Sequence, residues 1–348
     1  MVKALSRNYA VVVLLLCLTC AVQAAPTAAV ADETAWRAAQ ARFLRDALTG
    51  QFAPQAAALA RAAPGLLQGI DALCRTPDNT TLEAARIAWI DAMLAWESVN
   101  AITFGPALDR RSAYLIDFWP TRPNMIETAI GGAPKTTTDL YRVGIAAKGF
   151  PALEWLLWSP GPTPSVVTDP PHCAYARLLA QNIVDEATIL DNGFRALVAS
   201  NLPEERSTEM LTALLNQTIG GLERLRVKKM EKAAVYGNAE NFPRYLSNNA
   251  LKSWLTPWQS IQQFLAFQSE SRESSFEAYL RAQGLPAVAD KLRAATGKAR
   301  QVMQGTSQAT PVTARRAAKP LEAIQTILEQ DVADALHITL GFRETDGD

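Results

Sequence analysis

Apolar residues recur every three or four positions over most of the chain. The clearest case is Leu82, Ala85, Trp89, Met93 and Trp96, one buried stripe of a helix with Glu97 on its edge. Thr80-Thr-Leu-Glu83 in front of it fits a capping box, hydroxyl and carboxylate satisfying first-turn amides reciprocally, so a helix is predicted to begin at Thr80. Leu179, Ile183 and Leu190 mark the inner face of a second helix from about Asp169 to Leu197, with Pro170 and Pro171 at its start, where a missing amide hydrogen is harmless. Met210, Leu214, Leu215, Ile219, Leu222 and Leu225 form a long stripe opened by Pro203 and closed near Gly237. Ser274 to Leu280 and Ala287 to Met303 read as shorter helices, and a last one starting at Pro320 carries Leu321, Ile324, Ile327, Leu328, Val332 and Leu336. Alternating β-branched runs and tight hairpin turns are missing, so the predicted fold is all-α. Its expected form is two four-helix-bundle-like units packed against each other, an N-terminal bundle over 25–201 and a C-terminal bundle over 202–348.

The N-terminus follows a different pattern. Lys3 and Arg7 precede an apolar run from Tyr9 to Val22, and small residues follow at Ala21-Val-Gln-Ala-Ala25. That order predicts a signal peptide over 1–24, cleaved after Ala24, because the apolar run is shorter than the ~20 residues of a spanning helix. Lipid anchoring through Cys17 or Cys20 is the alternative, but Leu16 and Thr19 precede them where a small residue is required. The expectation is a free periplasmic protein with no membrane span after cleavage.

Composition narrows the partners. There are 34 basic and 34 acidic residues and a formal net charge of zero, so no nucleic-acid tract is indicated. The one basic cluster, Arg224, Arg226, Lys228, Lys229 and Lys232, is interleaved with Glu223 and Glu231 and reads as a solvated helix face. Cleavage leaves Cys74 and Cys173 in a compartment that permits disulfides, and the even count predicts a bridge between them.

The segment Lys148-Gly-Phe-Pro-Ala-Leu-Glu-Trp-Leu-Leu-Trp158 is the most unusual. Gly149 and Pro151 break what precedes them, and Pro151 suits the first turn of a new helix, which puts Glu154 within or just after that turn. Leu153, Trp155, Leu156, Leu157 and Trp158 are apolar all round, so Glu154 is expected to be at least partly buried and to have a definite partner. That partner is either the positive end of its own helix with a nearby Arg, or a metal ion or ligand; the residues alone favour the former.

Gly149-Phe-Pro-Ala-Leu-Glu154-Trp-Leu-Leu resembles the signature of the imelysin family, exported bacterial proteins classed as peptidases and linked to iron uptake. Trp96-Glu97 with Phe104-Gly-Pro106, Phe118-Trp-Pro120 with Asn124, and the end from Gly341 to Asp348 agree with the family in order. The resemblance implies two helical bundles and a site at their interface near a Gly-x-His-x-x-Glu motif. Gly149 and Glu154 match the glycine and glutamate, but Pro151 stands at the histidine position and offers no ligand nitrogen.

That departure weakens a metallopeptidase, which needs several metal-holding side chains and a water-activating base, and His-Glu-x-x-His is absent. His172 and His337 are expected in helix-end or surface roles. The candidate ligand-binding residues are Glu154, Gly149, Pro151, Trp155, Glu97 and Trp119, with Glu154 and Glu97 as metal ligands for iron or another divalent metal. Glu97 and Glu127 are equally open to pairing with Arg110, Arg111 or Arg122. The favoured function is a non-enzymatic protein binding a metal or small ligand between the bundles in iron acquisition; the alternatives are a metal-dependent peptidase and a helical docking module for iron-uptake components.

Overall fold

In the computed structural model, residues 25–159, 164, 166, 169–200, 204–266 and 275–341 are described. The predicted signal peptide with Cys17 and Cys20, the boundary at 201–203 and the acidic end at 342–348 lie outside these residues. The all-α prediction holds, with no strand among the described residues. The first half comprises α1 (Ala25–Ala47), α2 (Ala53–Arg75), α3 (Asn79–Asn100), α4 (Pro106–Asp109), α5 (Ser112–Ile116), α6 (Pro123–Gly131), α7 (Gly149–Trp158) and α8 (Pro170–Ala199). After it come α9 (Glu204–Glu223), α10 (Lys232–Val235), α11 (Lys252–Leu265), α12 (Phe276–Ala282), α13 (Pro286–Gln304), α14 (Pro311–Thr326) and α15 (Ala333–Ala335). Three π-helical stretches continue helices without a break, at Leu48–Phe52, Arg224–Glu231 and Ile327–Val332.

Helix ends depart from the sequence expectations for local reasons. The cap of α3 is Asp78, whose carboxylate accepts from the Thr81 amide while the Thr81 hydroxyl accepts from the Asp78 amide. The capping box therefore lies two residues earlier than the Thr80 and Glu83 pair, since Asp is at least as good a cap as Thr. The last long helix begins at Pro311, behind a Thr310 and Thr313 capping box, and runs through Pro320. A mid-helix proline removes one backbone hydrogen bond; the buried stripe Ala314, Ala317, Ala318, Leu321 and Ile324 carries α14 across it.

Two apolar cores organise these helices. In the first, α2 lies along both α3 and α8 and buries Leu59, Leu66 and Ile70 against Trp89, Met93, Leu179 and Ile183. Helix α7 is enclosed by α3, α5, α6 and α8, which is why it is apolar on every side. The second core unites α9, α11, α13 and α14 through Leu214, Leu222, Trp254, Trp258, Leu292 and Leu321. It also takes Phe43, Leu48 and Phe52 from the N-terminal part of the chain, so this core draws on both sides of residue 201. Phe43 meets Phe264, Phe276 and Tyr279 in one ring cluster.

Two glycines set close approaches, one within the first core and one where α9 meets the end of α3. Gly149 opens α7 with φ +68°, and a Cβ there would fall 2.0 Å from the Ile116 carbonyl oxygen. Gly221 in α9 would place a Cβ 2.0 Å from the carbonyl oxygen of Ala101, just beyond α3. Cys74 in the last turn of α2 is bonded to Cys173 in the first turn of α8, with Cα atoms 5.7 Å apart.

Two stability predictions follow from this packing. A cross-link over 99 residues of sequence removes about 4.7 kcal/mol of unfolded-state entropy in the chain-entropy model. Cys74→Ser with Cys173→Ser in the chain from Ala25 is expected to lose about that much in denaturant unfolding. Two free thiols in unreduced protein, with a midpoint indifferent to reductant, exclude the bridge. For the glycine, Gly237 is the control, since it shares φ +68° but has nothing within 4 Å of an added Cβ. Gly149→Ala should cost about 1–3 kcal/mol more than Gly237→Ala, because only the former drives a methyl into backbone; equal urea midpoints would refute this.

Candidate functional site

The long stripe of α3 leaves Glu97 on its edge, and α7 carries Glu154 into the same place from the first core. Asp117 follows α5. All three carboxylates face Arg244, in the loop between α10 and α11 and only 2% exposed. One guanidinium nitrogen of Arg244, Nη2, donates to Asp117 Oδ1. Arg244 Nε lies 3.7 Å from Glu97 Oε1, and Nη1 lies 4.0 Å from Glu154 Oε2. The guanidinium also sits 5.5 Å from the centre of the Trp89 ring. Lys229, in the π-helical stretch after α9, donates to Glu97 Oε2 and to the Ser253 carbonyl at 3.3 Å. Trp96 Nε1 donates to Asp117 Oδ2 at 2.8 Å, and Ser247 gives Glu154 Oε1 its amide at 3.0 Å and its hydroxyl at 2.7 Å.

Arg244 takes φ +65°, a left-handed conformation that a long side chain rarely adopts and that costs of order 1–3 kcal/mol. The loop holds it there through the Arg244 carbonyl, which accepts from the Asn249 amide at 2.9 Å and from the Ser247 hydroxyl at 3.3 Å. Burial alone would lower the Arg244 guanidinium; the charges of Asp117, Glu97 and Glu154 outweigh it and raise it. Glu154 goes the other way. Burial raises its carboxyl, and neither the Arg244 charge at 4.0 Å nor the Ser247 hydrogen bonds compensate, while the Asp117 charge adds to the rise.

Beside the cluster opens a cavity of about 160 Å3. Its lining comes from four stretches of chain, the first being Asn100 at the end of α3. Tyr114, Asp117, Phe118 and Trp119 come from α5 and the loop behind it, Arg224, Lys228 and Lys229 from the π-helical stretch, and Pro243 and Arg244 from the Arg244 loop. Hydrogen bonds in a π-helix run from i to i+5, so residues four and five apart lie over one another. Arg224 and Lys228, four apart, share a face in either kind of helix, and the wider turn brings Lys229 onto that face as well. The basic cluster is thus not the solvated helix face expected from sequence. Lys229 reaches the buried Glu97, Arg224 Nη2 donates to Thr103 Oγ1 at 2.9 Å and to the Asn100 carbonyl at 3.2 Å, and Arg226 pairs with Glu231 at 2.9 Å.

The structure brings together Glu97 and Glu154 and puts Trp119 in the adjoining cavity wall. Gly149 and Pro151 are buried in the first turn of α7 and act on the backbone, and Trp155 is half-buried against the first core. As metal ligands, Glu97 and Glu154 do not fit. The guanidinium of Arg244 lies between them, each carboxylate is turned to a donor of this chain, and no three His, Cys, Asp or Glu among the described residues could hold a metal ion. Glu127 meets His172 Nε2 at 3.1 Å, with Asp169 on the other ring nitrogen, and His337 is exposed. Arg110 forks onto buried Glu186, Nε at 3.0 Å and Nη2 at 2.7 Å, instead of reaching Glu97 or Glu127. Sequence reasoning missed Arg244, Asp117, Lys229 and Ser247. The only signal was that buried Glu154 needed a cation, and 34 basic residues gave no way to choose among them.

Comparison with known proteins agrees with this architecture. The model of the Imelysin peptidase family matches residues 52–337. Iron-regulated protein A of Synechococcus elongatus is 24% identical over an alignment of 220 residues that covers 59% of this chain and 58% of that protein's length. An imelysin-like protein from Psychrobacter arcticum superposes with a TM-score of 0.72 at 17% identity, over 88% of this chain and 98% of that one. A Parabacteroides distasonis protein described as an iron-regulated protein A precursor superposes with a TM-score of 0.71 at 15% identity, over 84% and 94%.

Glu154 makes stability depend on pH. Its carboxyl binds a proton more tightly in the folded than in the unfolded chain, so between the ordinary value of 4.5 and the raised folded value the folded state carries the extra proton. Its contribution is fully present below 4.5 and is lost as pH rises through the folded value. Glu154→Gln removes this dependence, so the variant should gain stability relative to the native protein as pH goes from 4.5 to 8. Denaturant midpoints across that range measure it, and a constant difference between the two proteins would refute it.

Proposed function

This chain belongs to the imelysin family, and from that premise we propose that it is a non-catalytic exported protein of iron acquisition that binds a small ligand at the seam between its two cores. The observation that carries the proposal is Arg244, buried among Glu97, Asp117 and Glu154 beside an open cavity. A hydrolase of this family would need a metal or nucleophile facing its substrate and a base to activate water. Here Glu154, the one motif carboxylate, accepts from Ser247 and faces the guanidinium. The cluster is a structural centre, and the cavity is what it leaves open to a ligand.

The iron context rests on the family and on a Synechococcus relative described as iron-regulated. Export rests on the charged, apolar and small-residue order of residues 1–24. No helix among the described residues is long and apolar enough to cross a membrane.

Deletion of the gene in its host is expected to slow growth under an iron chelator, with rescue by the native gene and by Glu154→Gln. Purified protein, with or without added divalent metal, is expected to leave unfolded polypeptides intact. Cleavage that disappears in Glu154→Gln would establish a peptidase and overturn the proposal.

A further inference from the structure

The cavity beside Arg244 has a composition that defines a ligand class. Four cationic side chains line it, Arg224, Lys228, Lys229 and Arg244, against a single carboxylate, Asp117. Asp117 accepts from Arg244 and Trp96, and Lys229 donates to Glu97 just behind the wall, so two of the four cations are shared with the ion cluster while the lining stays predominantly cationic. The aromatic residues come from a different stretch of chain: Tyr114, Phe118 and Trp119, with Tyr114 and Phe118 stacked at 6.2 Å and 28°. Arg244 stands at the inner end of the cavity and is tied into the ion cluster. Its Nε and Nη1 make no hydrogen bond although the residue is 2% exposed, and their nearest carboxylate oxygens are 3.7 and 4.0 Å away.

Excess positive charge in a recessed, partly apolar space attracts an anion more strongly than the same charge on an open surface, because the walls exclude water and focus the field. Aromatic walls accept a flat ring by stacking and offer an aliphatic chain only contact area. We propose that this cavity is a binding site for a small aromatic anion, its ring against Phe118 and Trp119 and its carboxylate or phosphate at Arg224, Lys228 and Lys229. The inference deepens the ligand-binding function and rests on it. The π-helical turn is the structural device behind it, since it brings Lys229 onto the face that Arg224 and Lys228, four residues apart, share in either kind of helix.

Calorimetric titration of the chain from Ala25 tests the assignment with benzoate and phenyl phosphate as aromatic anions, benzamide as a neutral ring, and acetate and inorganic phosphate as anions without a ring. At least one aromatic anion is expected to bind at least about tenfold more tightly than benzamide and than its own ringless counterpart; which of the two binds better identifies the head group. Lys228→Met and Trp119→Ala should each weaken it by about tenfold, with an unchanged circular dichroism spectrum showing that each variant folds. Equal affinity for benzamide, equal affinity for the ringless anion, or binding untouched by either folded variant would overturn the assignment. So would the absence of binding by both aromatic anions. If the protein is then still required for growth under iron limitation and still lacks peptidase activity, the aromatic anion alone has failed and the ligand-binding function stands. Peptide cleavage would remove that function itself.

Discussion

The ion cluster around Arg244 is the constraint on which the arrangement of the two cores depends. Glu97, Asp117 and Glu154 belong to elements packed on the first core, while Arg244, Lys229 and Ser247 belong to elements that enclose the second. Taking any one of these charges out of water alone would cost several kcal/mol, so the carboxylates and the guanidinium can be buried only together. A buried ion pair of this kind contributes little net stability compared with apolar packing. What it supplies is register: the helices bearing the carboxylates must meet the loop bearing Arg244 in one position, and the left-handed backbone of Arg244 is held there by Asn249 and Ser247.

The close approaches serve the same end. Gly221 lets α9 come against Ala101 at the end of α3, so the π-helical stretch that follows starts beside Glu97, within reach of Lys229. Gly149 brings the start of α7 against Ile116, which fixes Glu154 and Asp117 relative to each other across a short path. Neither glycine touches the charges, yet a Cβ at either would push apart the elements that carry them. This explains in physical terms why a glycine sits five residues before the motif glutamate.

Much of the fold was legible because it depends on periodicity. The stripes from Leu82 to Trp96 and from Met210 to Leu225 became α3 and α9, and Pro170 and Pro171 opened α8 as expected. Burial of Glu154 was legible as well, because an acid surrounded by leucines and tryptophans has few alternatives. Its partners were not. Arg244 is 90 residues further along in an irregular loop, where no period marks an inward side chain, and Asp117 lies in a segment whose aromatic residues drew attention first. The basic cluster was misread because its interleaving with Glu223 and Glu231 has the composition of a solvated face, and nothing in the sequence marks the i to i+5 turn that carries Lys229 inward. The N-terminal helix α1 was hidden because it closes a core formed mostly by residues far beyond it.

The aromatic side of the cavity would be of little use if it were a mobile loop, and the structure ties it down at both ends. Upstream, the Arg110 fork and the Ser112 hydroxyl, 2.6 Å from Glu186, hold α4 and α5 to α8 through one buried carboxylate. Gly193 of α8 gives Pro106 room to sit against the helix, since a Cβ there would lie 2.9 Å from the proline ring. Within the segment Asp117 is held by Trp96 and Arg244, immediately before Phe118 and Trp119, and downstream the Arg122 amide donates to the Ala146 carbonyl at 3.2 Å. The same residue therefore completes the buried cluster and anchors the aromatic wall, so the cavity inherits the register that the cluster imposes. An arrangement built this way keeps its rings and its cations at fixed separation. It follows that the loss of the motif histidine at Pro151 removes a ligand atom but leaves the architecture of the seam intact.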